Sequence, residues 1–226
     1  MSEKNISELV NHLFNFISDN RKKKFLEVLQ FRTRHISIVL EDIYQAHNAS
    51  AVLRSCDCFG IQDVHIIENK NKYTVNPDIA LGSSKWVNLI KYNQSENNSL
   101  EAIQKLKKDG YRIVATSPHA NDCNLEELNI DKKIALVFGT ELNGISDEIK
   151  NNADEFVKIP MFGFTESFNI SVSAALCLHT LSTKLHQSKI DWKLKENEKE
   201  IILLDWLCNS INKPELIEKE FLKNNS

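Results

Sequence analysis

Hydrophobic positions form a helical pattern at both ends of the chain and an alternation of strands and helices between them. Apolar residues recur at helical spacing through residues 1–31, where Asp19 or Asn20 is expected to cap a second helix. Near the C-terminus a polar connection precedes two short amphipathic pieces, at 201–207 and 216–221. The pattern therefore predicts short helical extensions flanking a central domain.

The central part alternates between apolar runs of strand length and helical segments. Strands are predicted at 36–40, 64–67, 86–92, 112–116, 134–138 and 156–159, and helices at 48–59, 100–108 and 169–185. Residues 69–84 are polar and are expected to form a loop. The run IALVF at 134–138 has no polar residue, which indicates a central strand covered on both faces. The alternation predicts an α/β fold with a mostly parallel sheet covered by helices.

These patterns divide the chain into a helical basic N-terminal arm at 1–35, an α/β domain at 36–186 and a helical extension at 187–226. The 226 residues, 42% of them hydrophobic, suffice for a sizeable buried core. No run approaches the roughly 20 apolar residues of a membrane span, and no signal peptide is expected. Five cysteines without a CxxC pair favour reduced thiols in the cytoplasm and no metal site.

Charge provides one candidate surface for nucleic acid. The net charge of −3 gives no global basic signature, so a nucleic-acid partner would have to meet a local patch. The candidates are the basic residues of the N-terminal arm, namely Arg21, Lys22, Lys23, Lys24, Arg32 and Arg34. They would contact phosphates, although a short charged run can also be an ordinary solvated face.

Four polar or glycine-containing loops follow predicted strands, at 41–48, 116–121, 139–144 and 161–169. Ligands of parallel sheets bind beyond the carboxyl ends of the strands, so these loops are where a site is expected. The sequence lacks GxGxxG, a P-loop and a GxSxG elbow, which leaves dinucleotide, P-loop and serine-hydrolase chemistry without support. The loop before 169–185 could equally be the cap of a core helix.

Three motifs in these loops resemble those of the SpoU branch of the SPOUT RNA methyltransferases. They read Asn48-x-x-Ala51-x-x-Arg54 with Gly60, Phe138-Gly139-Thr140-Glu141 with Gly144, and Ile159-Pro160-Met161-x-Gly163 with Ser167-Phe168-Asn169-x-Ser171. The stretch Gly82-Ser83-Ser84-Lys85-Trp86-Val87 and the short helical arm are similar to the TrmH subgroup, which methylates guanosine 18 of tRNA. Ala46 and Phe168 depart from the usual proline and leucine of relatives.

The resemblance implies S-adenosylmethionine as the methyl donor, a deep trefoil knot in the C-terminal part of the sheet, and a homodimer with active sites at its interface. Knots are very rare, and hydrophobic periodicity cannot predict one. By position, the resemblance places the donor against Thr116, Gly139, Ile159, Met161 and Phe168.

A ribose 2′-hydroxyl is a poor nucleophile, so the protein must align it with the methyl group and help to remove its proton. The candidate catalytic residues are Asn48, Arg54, Glu141, Ser167 and Asn169. The resemblance assigns the key role to Arg54. Because an arginine stays protonated, we favour phosphate binding and stabilisation of alkoxide charge over proton removal. Glu141 is expected to orient Arg54 or Asn48, and Ser167 and Asn169 to hold the loop and the ribose.

Plainer roles exist for the same residues. Asn48 could only cap its helix, Arg54 could be a surface residue, and Glu141 could pair with a lysine.

Three functions are compared. The first is 2′-O-methylation of guanosine 18 in the tRNA D-loop, the second is methylation of ribosomal RNA or another tRNA position, and the third is RNA binding without catalysis. In each case the partner is RNA, and no membrane or metal is expected.

Overall fold

A computed structural model describes residues 3–74, 76–117, 123–140 and 143–224. Glu141, one of the predicted catalytic residues, lies outside the described residues. The described chain forms two compact units. The smaller unit contains the residues up to Arg32 and those from Lys193 onwards, and the larger unit spans Thr33–Trp192.

The larger unit is built on one sheet. Its strands within the described residues are β1 Ile36–Glu41, β2 Asp63–Ile67, β3 Asn88–Tyr92, β4 Arg112–Thr116, β5 Cys123–Asn124, β6 Ile134–Phe138 and β7 Glu155–Lys158. They lie in the order β3-β2-β1-β6-β4-β7-β5, and each neighbouring pair is parallel. The prediction of a mostly parallel sheet with the 134–138 strand at its centre is confirmed. The trefoil knot stays a prediction.

Helices account for most of the remaining described residues. They are α1 Glu3–Leu13, α2 Asp19–Leu29, α3 Ala46–Cys58, α4 Pro77–Ala80, α5 Asn98–Lys108, α6 Asp147–Asn152, α7 Ile170–Gln187, α8 Glu196–Cys208 and α9 Pro214–Asn224. Short 3-10 turns lie at Phe14–Phe16, Ser83–Lys85 and Leu125–Glu127. None of the helices described here is long and apolar enough to cross a membrane.

Alternating side chains of the strands fill two cores, one on each face of the sheet. Ile38 of β1 belongs to the core that contains Leu53 of α3 and Leu178 of α7. Its neighbour Val39 belongs to the opposite core, with Ile103 of α5. Because successive strand residues point to opposite faces, a strand buried on both faces is apolar throughout. This explains why the central strands read as continuous apolar runs.

The structure differs from the predicted elements at the segment ends. Ser18 caps α2, because its Oγ accepts a hydrogen bond from the Arg21 backbone N–H at 3.4 Å, where Asp19 or Asn20 was expected. The segment 69–84, expected as a loop, contains α4, whose first turn the side chain of Asn76 caps. The strand predicted at 86–92 begins only at Asn88. β5 has two residues, too few for a periodic signal.

The smaller unit is a cluster of helices. The ring of Phe25 on α2 packs edge-on against Trp206 of α8, with their centroids 5.4 Å apart. The guanidinium of Arg32 lies 5.3 Å from the centre of the same indole ring, and the Arg32 side chain is among the most buried in the protein. Arg32 is therefore a packing residue of this unit, with a cation–π contact, and it is not a surface residue of a basic arm.

His65 on β2 makes the stability of the larger unit depend on pH. Its ring is buried and its Nδ1 lies 2.9 Å from the Tyr92 hydroxyl. Burial lowers the pKa of His65 to about 4, although Asp63 opposes the shift. An unfolded histidine titrates near 6.5, so between these values the unfolded chain binds more protons. The His65 contribution is complete above pH 6.5 and is lost as the pH falls towards 4.

We expect this single group to remove roughly 3 kcal/mol from the free energy of unfolding across that interval. Urea unfolding at pH 7.5 and pH 5 measures the loss in the wild type and in His65→Gln, which keeps an amide near Tyr92 but does not titrate. The variant should lose less stability between the two pH values. An equal loss in both proteins would show that His65 is not the group responsible.

Candidate active site

A cavity of about 470 Å³ opens where β4, β6 and β7 end. Such a position beyond the carboxyl ends of parallel strands is where ligands of these sheets bind, and the volume suits a small molecule. All five residues that the sequence placed at the methyl donor lie in its wall, namely Thr116, Gly139, Ile159, Met161 and Phe168. Ser167, a predicted catalytic residue, also lines it.

Glycines shape the cavity wall that follows β6. Thr140 and Gly144 exchange backbone hydrogen bonds, each with an N–O distance of 2.9 Å, and Gly144 has a φ of +65°. A Cβ atom on Gly139 would lie 2.1 Å from the Gly144 carbonyl oxygen and 2.4 Å from the Ile145 backbone N. Only glycine fits at 139, because the backbone of the loop folds directly onto it. Glu141 belongs to this loop but lies outside the described residues.

Glu41 anchors the same loop to the sheet. Its carboxylate is buried at the end of β1 and accepts hydrogen bonds from the Ser146 backbone N–H at 2.8 Å and from Ser146 Oγ at 2.6 Å. Ser99 Oγ donates a third hydrogen bond. Ser99 and Ser146 stand at the starts of α5 and α6, where a negative charge is favoured. The sequence analysis missed Glu41, although an acid that ends an apolar strand is a usable signal.

A chain of amide hydrogen bonds connects the first and third motifs. Asn169 caps α7, because its Oδ1 accepts from the Ser171 N–H at 2.9 Å. Its Nδ2 donates to Asn48 Oδ1 at 3.1 Å, and Asn48 Nδ2 donates to Gln45 Oε1 at 3.1 Å. The structure therefore brings Asn48 and Asn169 into contact, although 121 positions separate them. Asn48 lies inside α3 and does not cap it, since the helix begins at Ala46.

A second cavity of about 340 Å³ adjoins the first and reaches this amide chain. Asn48 and Gln45 line it. Thr140, Asn143 and Ile170 line both cavities, so the two cavities adjoin at these residues. Two adjoining cavities suit two reactants that must meet.

Arg54 stands apart from both cavities. It lies six positions after Asn48 on α3, which corresponds to about 9 Å along the helix axis and about 240° around it. Its side chain is exposed and is not among the residues that line either cavity. Within one chain, then, the structure does not bring Arg54 together with Asn48 and Asn169.

The thiol of Cys177 lies in the wall of the first cavity but is not a nucleophile. Burial raises the pKa of Cys177 to about 12, and the nearby Glu126 adds to the shift. A thiol must ionise to attack, so Cys177 stays neutral at physiological pH.

Four of the six predicted RNA-binding residues lie on an exposed surface. Arg21, Lys22, Lys23 and Lys24 occupy the first turns of α2 and are exposed. Arg34 differs, since its Nε binds Asp63 Oδ2 at 2.8 Å and its side chain is largely covered. Arg32 is buried against Trp206. The candidate basic surface is therefore restricted to residues 21–24.

Comparison with known proteins identifies the class. The fold and the three motifs are those of an RNA methylase, and the chain belongs to the SpoU rRNA methylase family, whose model matches residues 35–179. It is 48% identical to the tRNA (guanosine(18)-2′-O)-methyltransferase of Borreliella burgdorferi over 206 residues, which cover 91% of this chain and 93% of that protein. The Thermus thermophilus protein of the same name is 31% identical, over 84% of this chain and 97% of that protein.

A solved structure supports the same assignment. The crystal structure of the Aquifex aeolicus TrmH/SpoU tRNA modifying enzyme superposes with a TM-score of 0.77 at 30% identity, and covers 86% of this chain and 98% of that one. The chain is accordingly a methyltransferase, and S-adenosylmethionine is its methyl donor. The alternative of RNA binding without catalysis is set aside.

Proposed function

We propose that this enzyme methylates the ribose 2′-hydroxyl of guanosine 18 in the D-loop of tRNA. The main support for this proposal is the 48% identity to the Borreliella burgdorferi enzyme of that specificity. The match extends over 91% of the chain and so reaches beyond the methylase domain. The Thermus thermophilus and Aquifex aeolicus relatives carry the same name at 31% and 30% identity.

The first cavity fits the donor. The walls after β6 and β7 are backbone around Gly139, Gly144 and Ile159, and Met161 and Phe168 supply apolar surface for an adenine ring. The gap that Gly139 leaves lets the loop close in a shape that no side chain permits. When bound, S-adenosylmethionine supplies an electrophilic methyl group on a sulfonium centre. The protein must place the acceptor oxygen in line with it and help to remove the hydroxyl proton.

The linked asparagines are placed to position the ribose. Asn48 is buried, faces the second cavity, and is held from both sides by Gln45 and Asn169. A side chain fixed in this way keeps its geometry when the substrate arrives, and such preorganisation is the main source of catalytic stabilisation. Ser167 in the loop before α7 is placed to hold the sugar from the donor side.

Arg54 and an exposed apolar surface support a homodimer. Arg54 lies outside both cavities of its own chain, so it can serve the reaction only at a site completed by a second copy. Val172 and Leu176 lie about one turn apart on the same side of α7, Phe168 precedes the helix by two positions, and each of the three is about 40% exposed. We propose that this surface packs against the same surface of the partner, and that Arg54 of each protomer reaches the partner's active site to bind a substrate phosphate.

The basic surface at residues 21–24 is proposed to bind tRNA phosphates. Cations are unfavourable in the first turn of a helix, where the helix dipole is positive, so Arg21 and Lys22 do not stabilise α2. By contrast, Lys105 and Lys108 occupy the last turn of α5, where the dipole favours them. The helix dipole therefore favours Lys105 and Lys108 and disfavours Arg21 and Lys22. Lys22 also lies 4.7 Å from the centre of the Phe14 ring, in a cation–π contact.

Neutralising all four residues at 21–24 to Gln is expected to weaken tRNA binding. The slope of log K against log salt concentration should become shallower by about 0.7 for each phosphate contact that is lost. Titration of labelled tRNA at several salt concentrations measures this slope, and the matched control is the double variant Lys105→Gln with Lys108→Gln. Donor affinity should stay unchanged in both variants. If both variants give the wild-type slope, residues 21–24 do not contact phosphate.

The alternative target is ribosomal RNA or another position in tRNA, and the name of the family model mentions rRNA. Transfer of labelled methyl groups to unmodified transcripts separates the two. Transfer to tRNA with guanosine at position 18, and not to the same tRNA with another base there, supports the proposal. Transfer to a ribosomal fragment alone would contradict it.

A further inference from the structure

We propose that the second cavity receives the target nucleoside, with its base stacked on Tyr44 and its ribose beside Asn48. This inference rests on the proposed function and specifies how the substrate is held. Tyr44 and Asn48 are two of the residues that line the second cavity. Tyr44 presents an aromatic ring to solvent, and Asn48 presents a buried amide next to the donor cavity.

The exposure of Tyr44 is the first observation. Its side chain is 80% exposed, although a tyrosine ring usually contributes its large apolar area to a core or an interface. Its neighbour Ile43 is buried in the core and also lines the cavity. The loop thus places one apolar residue inside and the next in the mouth of the cavity.

The loop that carries Tyr44 is anchored at Asp42, two positions before the ring. Asp42 Oδ1 accepts hydrogen bonds from the backbone N–H groups of Asn69, Lys70 and Asn71, at 2.7, 2.8 and 3.2 Å. Asn71 Nδ2 donates to the Asp42 carbonyl at 2.9 Å. Asp42 has a φ of +52°, a strained value for a residue other than glycine. Strain of this kind persists where the surroundings hold it, often at functional sites.

The position of the cavity determines what can occupy it. Thr140, Asn143 and Ile170 line this cavity and the donor cavity alike, so an occupant lies directly beside the methyl group. Asn48 at the inner end and Asn71 and Asn143 along the wall offer amides to sugar and base. A base that leaves its stack or tertiary contacts is commonly held on an aromatic ring. These features together match one extruded nucleoside.

Three variants test the role of the ring. Tyr44→Ala and Tyr44→Leu are expected to lower kcat/KM for tRNA about 10- to 100-fold, which is the usual effect of removing one base–aromatic stack. Tyr44→Phe should stay within about threefold of the wild type, because the ring remains. Donor affinity, measured by calorimetry, and the oligomeric state should not change in any of them.

A modified substrate ties the effect to the base. A tRNA that lacks the base at position 18 and keeps only the ribose should bind the wild type more weakly than intact tRNA does. The Tyr44→Ala variant should bind the two tRNAs equally. Normal kcat/KM in Tyr44→Ala would overturn the inference, as would equal damage in Tyr44→Phe or loss of the dimer in Tyr44→Ala. Failure of the wild type to methylate the unmodified tRNA, with guanosine at position 18, would instead overturn the proposed function.

Discussion

Arg54→Lys is expected to lower kcat at least about 100-fold while leaving donor affinity within about twofold. The physical reason is geometric, because a lysine keeps the charge but loses the planar group that binds a phosphate through two parallel hydrogen bonds. Loss of one preorganised group that stabilises developing negative charge costs about 100- to 1000-fold in kcat. Single-turnover methyl transfer with saturating tRNA measures this step. Near-normal turnover would remove Arg54 from the mechanism.

Mixed dimers show which chain supplies Arg54. A dimer of one Arg54→Ala chain and one chain with a disabled donor cavity should retain about half the wild-type activity, if Arg54 acts on the partner's site. One of the two sites then has an intact cavity and an intact arginine. If Arg54 served its own chain, both sites would be defective and the mixed dimer would be inactive. Its exposed position outside both cavities favours the first result.

Gly139→Ala is expected to lower donor affinity at least about 30-fold and to destabilise the fold by about 1–3 kcal/mol. The added Cβ would lie 2.1 Å from a carbonyl oxygen of the same loop, so the backbone must move. That movement disrupts the paired hydrogen bonds between Thr140 and Gly144 and changes the wall of the donor cavity. Calorimetric titration with S-adenosylmethionine and thermal unfolding measure the two effects.

The matched control is Gly163→Ala in the loop that follows β7. A Cβ at 163 meets no atom within 4 Å, and φ at this residue is not in the left-handed region. Donor affinity and stability should therefore stay close to those of the wild type. Wild-type donor affinity in Gly139→Ala would show that the loop after β6 does not shape the donor site.

Hydrophobic spacing predicted the sheet well, because each long strand is buried on one or both faces. The apolar run of β6 correctly indicated the central position. Short or locally stabilised elements escaped prediction. β5 has two residues, and α4 is a single turn held by the Asn76 cap. β5 is held by its pairing with β7, which a one-dimensional pattern does not contain, and α4 is too short to give a periodic signal.

The five residues that the motif resemblance assigned to the methyl donor all line one cavity. Contacts between distant segments, by contrast, are visible only in the structure. The hydrogen bond between Asn169 and Asn48 joins residues 121 positions apart. Arg32 looked like part of a basic surface, yet it packs against Trp206, which follows it by more than 170 positions. Glu41 was predicted only as the first residue of the loop 41–48, and its hydrogen bonds to Ser146 and Ser99 depend on the arrangement of three elements.

A deoxy substitution tests directly whether the ribose 2′-hydroxyl of guanosine 18 is the methyl acceptor. Two tRNA transcripts are compared as methyl acceptors, one with guanosine at position 18 and one with 2′-deoxyguanosine there, so that they differ by a single oxygen atom. We expect one methyl group per molecule on the first transcript and none on the second, with equal binding of both. Methylation of the deoxy transcript at position 18 would contradict this expectation, because the acceptor would then be the base and not the ribose hydroxyl.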